Sequence, residues 1–228
     1  EAIRAFLRHT QTAWRPAPRF VLLVGDSTYD PAGWLADQPL PAEMRLPSPF
    51  LPTVFGGWTV SDNHLADLDG DGSPDLALGR LPANSPAQLD AYVRKALEYI
   101  HGAPDGAWRQ RVLLTADGQS AEFRTASERL RGALPATVHP VTFYPPAGQD
   151  VTLALRPLLE DGALLVNYVG YGSVEQLGKD RLLTTEIAEQ LTNRQRLPVI
   201  ITMTCLTGLF SHPSQTSVAE ALLWNPQG

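Results

Sequence analysis

Val199-Ile200-Ile201-Thr202-Met203-Thr204-Cys205-Leu206-Thr207-Gly208 is an apolar, β-branched run that ends on a thiol and a glycine turn. Such a run reads as a buried strand of a parallel sheet, whose faces are covered by helices. The functional crevice of a sheet of that kind lies beyond the carboxyl ends of its strands. Cys205, the only cysteine in 228 residues, therefore stands where a parallel-sheet protein places a nucleophile. Taken alone, a free cysteine at a strand end is more often a small buried hydrophobe.

Working outward, the same pattern recurs. Phe20 to Asp26, Arg111 to Ala116 and Ala163 to Val169 are further apolar strands, the first of them expected to be buried on both faces. Helices are predicted between them. Glu1 to Arg8 reads as a helix start. Residues 85–100 begin with Ser85, Pro86 and Gln88 in a capping pattern and carry Leu89, Tyr92, Val93, Ala96, Leu97 and Ile100 at helical spacing. Residues 121–134 and 185–192 follow, and Ser217-Val-Ala-Glu220 is a capping box that opens a last helix. Pro31, Pro39, Pro41, Pro47, Pro49 and Pro52 make 31–53 a long irregular excursion. The fold class is α/β: a doubly wound, mostly parallel sheet flanked by helices. Asp26, Asp117, Tyr171 and Cys205 all follow strand ends, so one sheet edge is expected to hold them. The last helix runs into Gly228 where a parallel sheet would continue, which predicts a further C-terminal segment that completes it.

Composition narrows the function. Apolar residues make up 43% and charged residues 18%, with a net charge of −6, which supports a sizeable core and argues against a nucleic-acid surface. No stretch approaches the ~18 uninterrupted apolar residues of a membrane helix, and no signal peptide opens the chain. One cysteine excludes an internal disulfide framework.

Two loops suggest ligands. Asp67, Asp69, Asp71 and Asp75 occupy positions 1, 3, 5 and 9 of a loop with Gly72 at position 6, the opening pattern of a calcium loop. Position 12 is Leu78 instead of a bidentate acid, and a solvated acidic turn is the plainer alternative. Gly170-Tyr171-Gly172 begins like a phosphate-binding loop, but the third glycine position is Glu175 and no clear helix follows, which argues against a dinucleotide.

Several segments, in order along the chain, resemble the gingipain family of cysteine peptidases. They are Leu22 to Asp30, Ser61 to Asn63 with Ala66 to Asp71, Ala77 to Pro82, Val166 to Ser173, Leu191 to Asn193 with Leu197-Pro198, and Met203 to Gly208 followed by Ala219 to Leu222. The resemblance implies a caspase-like fold with an N-terminal subdomain (1–107) and a catalytic subdomain (108–228). It also implies a Cys–His dyad, calcium stabilisation, a protein or peptide substrate, and export to the cell surface or beyond. Cys205 matches the nucleophile, and Gly172 the glycine whose N–H helps hold the oxyanion. Asp117 falls near an acid that supports the histidine, and Glu122 in the region that shapes the substrate pocket.

One position departs from the family pattern: Tyr171 stands where the motif has histidine. An imidazole near pKa ~6.5 accepts a thiol proton at neutral pH, whereas a phenol near ~10 keeps its own. His212, seven residues past Cys205, reads as a solvated loop histidine. The sequence therefore predicts an inactive or very weak peptidase, with a non-catalytic, calcium-stabilised binding module as the alternative.

Overall fold

The computed structural model describes residues 2–35, 40–54 and 57–228. Glu1 and Pro39, named above, lie outside the described residues. The chain divides into two units, Glu1–Pro86 with Phe210–Ser214, and Ala87–Leu209 with Gln215–Gly228.

The first unit contains α1 (Ala2–Ala13), β1 (Phe20–Val24), a 3-10 turn (Ala42–Met44), β2 (Phe50–Thr53), β3 (Gly57–Val60), α2 (Asn63–Ala66) and β4 (Ala77–Leu81). Strand β1 pairs in parallel with β4, from Phe20 beside Ala77 to Val24 beside Leu81. One face of this pair packs on a small core of Leu7, Ala66, Leu68 and Leu76, with Val21 and Leu78 against it. The other face is open, with Phe20 75%, Leu22 59% and Val24 44% exposed. The expectation of a strand buried on both faces thus fails at β1, whose sheet has a single packed side. Strands β2 and β3 form an antiparallel hairpin inside and just past the proline-rich excursion.

Arg80 explains why three of the segments quoted above occur together. Its guanidinium donates to Asp62 Oδ2 at 2.6 Å and Oδ1 at 2.9 Å, to Ser48 Oγ at 2.9 Å and to Gly25 O at 2.6 Å, and it stacks 4.9 Å from the Phe210 ring. A planar fork with five donors suits this convergence, and lysine would not replace it. Asp26 sits beside the network, 7% exposed, and its burial raises the carboxyl pKa to about 7.

The second unit holds α3 (Pro86–Gly102), β5 (Arg111–Ala116), α4 (Ala121–Ala133), β6 (His139–Phe143), α5 (Arg156–Glu160), β7 (Leu165–Val169), β8 (Gln176–Leu177), β9 (Leu183–Thr184), α6 (Thr185–Glu189), β10 (Val199–Met203) and α7 (Val218–Trp224). Four parallel strands form its sheet in the order β10-β7-β5-β6. The predicted strands and helices of this half all form, with ends shifted by a few residues. Strand β6 is a further element that the sequence hid, because Pro140 reads as a breaker. It lies at the sheet edge, the place where a strand tolerates proline.

The main core lies on one side of the sheet, where Leu113, Val166 and Tyr168 meet Leu155, Leu159, Leu183, Ile187 and Val218. The capping box of α7 is present as predicted: Ser217 N donates to Glu220 Oε2 at 2.8 Å, and Glu220 N to Ser217 Oγ at 3.4 Å. At the other end of α7, Lys95 of α3 donates to Leu222 O, Asn225 O and Gly228 O at 2.7, 3.0 and 2.5 Å. It thereby satisfies carbonyls that the helix end leaves free. Burial lowers its pKa to about 8. The apolar stripe of α3 stays partly open, with Val93, Leu97 and Ile100 exposed. Beside it lies a cavity of about 500 Å³ lined by Tyr92, Tyr99, Ile200 and Leu222.

Candidate active site

Three strand ends of the second unit carry residues singled out by the sequence. Ala116, Val169 and Met203 are level across β5, β7 and β10. The ladder continues one rung further, Asp117 N donating to Val169 O at 3.0 Å and Gly170 N to Met203 O at 3.3 Å. Asp117, Tyr171 and Cys205 therefore leave neighbouring strands at the same end of one sheet. Asp26, expected on the same edge, follows β1 of the two-stranded sheet in the first unit. Both sheets are built from apolar parallel strands, so the sequence alone merged them.

Cys205 is exposed, which corrects the default reading of a buried hydrophobe. Thr207 N donates to Cys205 O at 2.8 Å, closing a tight turn with Leu206 held at φ +63°. A non-glycine residue in that left-handed region costs on the order of 1–3 kcal/mol and is found where surrounding contacts enforce it. Here the enforcement is packing: Thr207 is 3% exposed, and its carbonyl accepts Ala219 N at 2.9 Å. Among the described residues, no hydrogen bond reaches the Cys205 thiol.

Gly172 is where the loop after β7 touches the Cys205 turn. A Cβ there would lie 2.5 Å from Thr204 Oγ1 and 2.8 Å from both Cys205 O and Thr207 Cγ2. Only glycine permits the approach. Gly172 bridges to Leu177 through its neighbours, Ser173 N donating to Gln176 O at 3.0 Å and Gly178 N to Tyr171 O at 2.9 Å. That leaves the Gly172 N–H and the Cys205 N–H without a hydrogen bond among the described residues. The loop runs into β8 and not into a helix.

Asp117 is 1% exposed. Its Oδ1 accepts Gln119 N at 3.0 Å, and its Oδ2 accepts Tyr171 N at 3.3 Å and Lys179 N at 3.5 Å. Its contact with residue 171 is thus with the backbone. The phenol ring of Tyr171 lies edge-on to Phe123, centroids 5.1 Å apart, with Lys179 Nζ 5.0 Å from its centroid. Glu122 is exposed in the first turn of α4, where its N–H donates to the Ser120 cap at 3.2 Å. His212 belongs to the 210–214 segment of the first unit. It stacks edge-on with Tyr29 at 5.5 Å and accepts Ser214 N on Nδ1 at 3.3 Å.

The acidic loop brings three of its four aspartates together. One carboxylate oxygen from each of Asp67, Asp69 and Asp71 lies within 4.8 Å of the others, a span two oxygens reach across one ion at ~2.4 Å. These residues could hold a metal. Asp75 is used locally, its Oδ2 accepting Leu68 N at 2.7 Å. Gly70 and Gly72, at φ +91° and +90°, donate to the Asp67 carboxylate at 2.7 and 3.2 Å. Arg4 Nη2 stands 3.7 Å from Asp67 Oδ1 and neutralises part of the charge.

Over residues 1–228 the chain matches the family description Peptidase family C25. The chain belongs to peptidase family C25. Lys-gingipain W83 of Porphyromonas gingivalis is 27% identical over 164 residues, covering 67% of this C25 chain and 9% of the relative. A second Lys-gingipain, from Porphyromonas gingivalis strain ATCC 33277, is 26% identical over 162 residues, covering 68% and 9%. Among solved structures, the Arg-specific cysteine proteinase gingipain R (RgpB) has a TM-score of 0.71 at 21% identity, covering 98% of this chain and 48% of that one. The complex of Porphyromonas gingivalis RgpB pro- and mature domains gives 0.73 at 21% identity, covering 98% and 49%. These likenesses establish the gingipain α/β fold, with parallel sheets flanked by helices. The chain spans about 9% of the length of the curated relatives and just under half of the solved chains.

Three side chains around the site of this C25 chain escaped the sequence reading: Phe123, Tyr168 and Lys179. Phe123 and Lys179 meet Tyr171 only through tertiary packing. Tyr168 offered one signal, a hydroxyl on the most buried stretch of β7 that must find a partner there.

Proposed function

We propose that this chain is the catalytic part of a gingipain-like cysteine endopeptidase in which peptide hydrolysis is absent or very weak. The observation that carries the reading is the pair of unbonded amides, Gly172 N–H and Cys205 N–H, on two touching loops beside an exposed thiol. Attack of a Cys205 thiolate on a peptide carbonyl makes a tetrahedral oxyanion, and two preorganised donors are what that charge needs. The missing part is the base. Position 171 carries a phenol where the family motif has an imidazole, so no neighbouring base takes the thiol proton or returns it to the leaving amine. Loss of such a group costs about 10²–10⁴ in rate.

The finer assignments belong to the same reading. Residues 1–107 form the N-terminal subdomain and 108–228 the catalytic one, with Asp117 as support for residue 171 and Glu122 in the pocket for the residue before the cut. Calcium is the ion for Asp67, Asp69 and Asp71, with Asp75 bracing the loop. The protein works outside the cell or on its surface, on protein or peptide partners. No described helix is long and apolar enough to cross a membrane. The uncovered edge and face of β10, with Val199, Ile201 and Met203 exposed, take a further segment of the same polypeptide that completes the sheet.

The test is Tyr171→His assayed on mixed peptides. A gain of about 10²-fold or more is expected. No gain removes the idea that only the base is lacking. One observation favours the second reading, a pseudopeptidase that binds ligands in the same crevice: the Cys205 thiol has no hydrogen-bond partner among the described residues. Alkylation of Cys205 by iodoacetamide in Tyr171→His no faster than a free thiol at neutral pH supports that reading, and faster alkylation supports a nucleophile that lacks only its base.

A further inference from the structure

We infer that Tyr168 is a positioning residue of the site: its buried hydroxyl and the Asp117 carboxylate grip the backbone of residue 171 from opposite sides and fix where that side chain starts. The inference rests on the reading that residue 171 holds the base position of a peptidase. Tyr168 is 0% exposed within the main core, where a phenylalanine would fill the same space. A hydroxyl there is unfavourable unless it is bonded. Its partner is the carbonyl of Tyr171, at 2.5 Å. The same residue's N–H goes to Asp117 Oδ2 at 3.3 Å, so both backbone polar groups of one loop residue are held by side chains, one from β7 and one from the end of β5.

The grip leaves no slack. A Cβ on Gly170, between the two, would sit 2.4 Å from both Asp117 Cβ and the Tyr168 hydroxyl. Gly178 N adds a second donor to Tyr171 O at 2.9 Å, tying the β8 turn to the same carbonyl. Neither Tyr168 nor Asp117 hydrogen-bonds the side chain at position 171. The device is therefore indifferent to which residue stands there and positions histidine or tyrosine alike. Burial, and next the charge of Asp117, push the Tyr168 phenol far above its ordinary pKa, so it remains a donor wherever the protein is folded.

Two measurements on the full chain test this. The first is amide hydrogen exchange in Tyr168→Phe, which keeps the ring and removes only the hydroxyl. Protection at the hydrogen-bonded amides of Tyr171 and Gly178 should fall at least about tenfold, with β5 and β7 unchanged. Unchanged protection at Tyr171 overturns the inference. The second is the pH profile of Cys205 alkylation by iodoacetamide in Tyr171→His with and without Tyr168→Phe. Tyr171→His alone should move the midpoint below the free-thiol value of ~8.5, and adding Tyr168→Phe should return it by about one unit. If the single variant shifts and the double variant matches it, Tyr168 is only a packing residue and the positioning role fails alone. If Tyr171→His does not shift the profile, the peptidase reading fails and this inference with it.

Discussion

Asp117 reaches Tyr171 through the peptide backbone: its buried Oδ2 accepts the Tyr171 N–H at 3.3 Å, while the phenol ring turns to Phe123. The carboxylate at the end of β5 thus secures the loop after β7 independently of the side chain that the loop presents. With Lys179 N and Gln119 N it accepts three amides in all.

Asp117→Ala should accordingly lower stability by about 1–3 kcal/mol, since three part-buried amides lose their acceptor. Urea unfolding measures this. A loss below about 0.5 kcal/mol, the range of ordinary surface changes, would show that the amides find other partners.

Gly172→Ala should force the two site loops apart. Its Cβ would fall within 2.5–2.8 Å of Thr204, Cys205 and Thr207, and overpacking of that kind costs roughly 1–3 kcal/mol. The melting temperature should drop by several degrees, at about 2–4 °C per kcal/mol for a chain of this size. Gly208→Ala, where a Cβ meets nothing within 4 Å, is the matched control and should leave the loops in place.

If calcium binds the acidic loop, a chelator should lower the melting temperature and added calcium restore it. A site held at 100 times its Kd contributes about 2.7 kcal/mol. Asp69→Asn and Asp71→Asn should each abolish the calcium response. Equal melting curves with and without chelator would remove the ion.

Stability should pass through a minimum near pH 7–8. The Asp26 carboxyl is raised by burial to about 7, so between pH ~4 and ~7 the folded state binds the extra proton and stability falls as pH rises. Lys95 is lowered by burial to about 8. From there to pH ~10.5 the unfolded state binds the extra proton, and stability rises with pH. Each limb approaches about 1.4 kcal/mol per pH unit. Asp26→Asn should flatten the first limb and Lys95→Met the second, both read from urea midpoints. A midpoint independent of pH from 4 to 10 would contradict both assignments.

The sequence disclosed most of the second unit because each of its central strands is a continuous apolar run and several helices carry local caps such as Ser217-Glu220. It concealed β6 behind Pro140, since edge position is not visible in one strand's residues. It also placed Asp26 with Cys205, because two parallel sheets with the same residue pattern look like one. Cys205 and Asp117 follow the ends of neighbouring strands as their positions after apolar runs predicted, whereas Gly172 entered through the family resemblance. Tyr168, Phe123 and Lys179 were not legible, because their contacts with Tyr171 depend on how separate elements pack. The four aspartates of the loop were read as one set by spacing, whereas the chain spends Asp75 on the Leu68 amide.

The two borders of the four-stranded sheet differ in a way that bears on handling the protein. Strand β6 carries Pro140, which cannot offer an N–H, and is a poor template for another chain. Strand β10 has no proline, pairs on one side only among the described residues, and exposes Val199, Ile201 and Met203. Its bare row of amides and carbonyls is a seed for intermolecular pairing. Concentrated solutions of this chain should therefore self-associate through β10 and not through β6. Ile201→Lys should improve colloidal behaviour while leaving the turn at Cys205 in place.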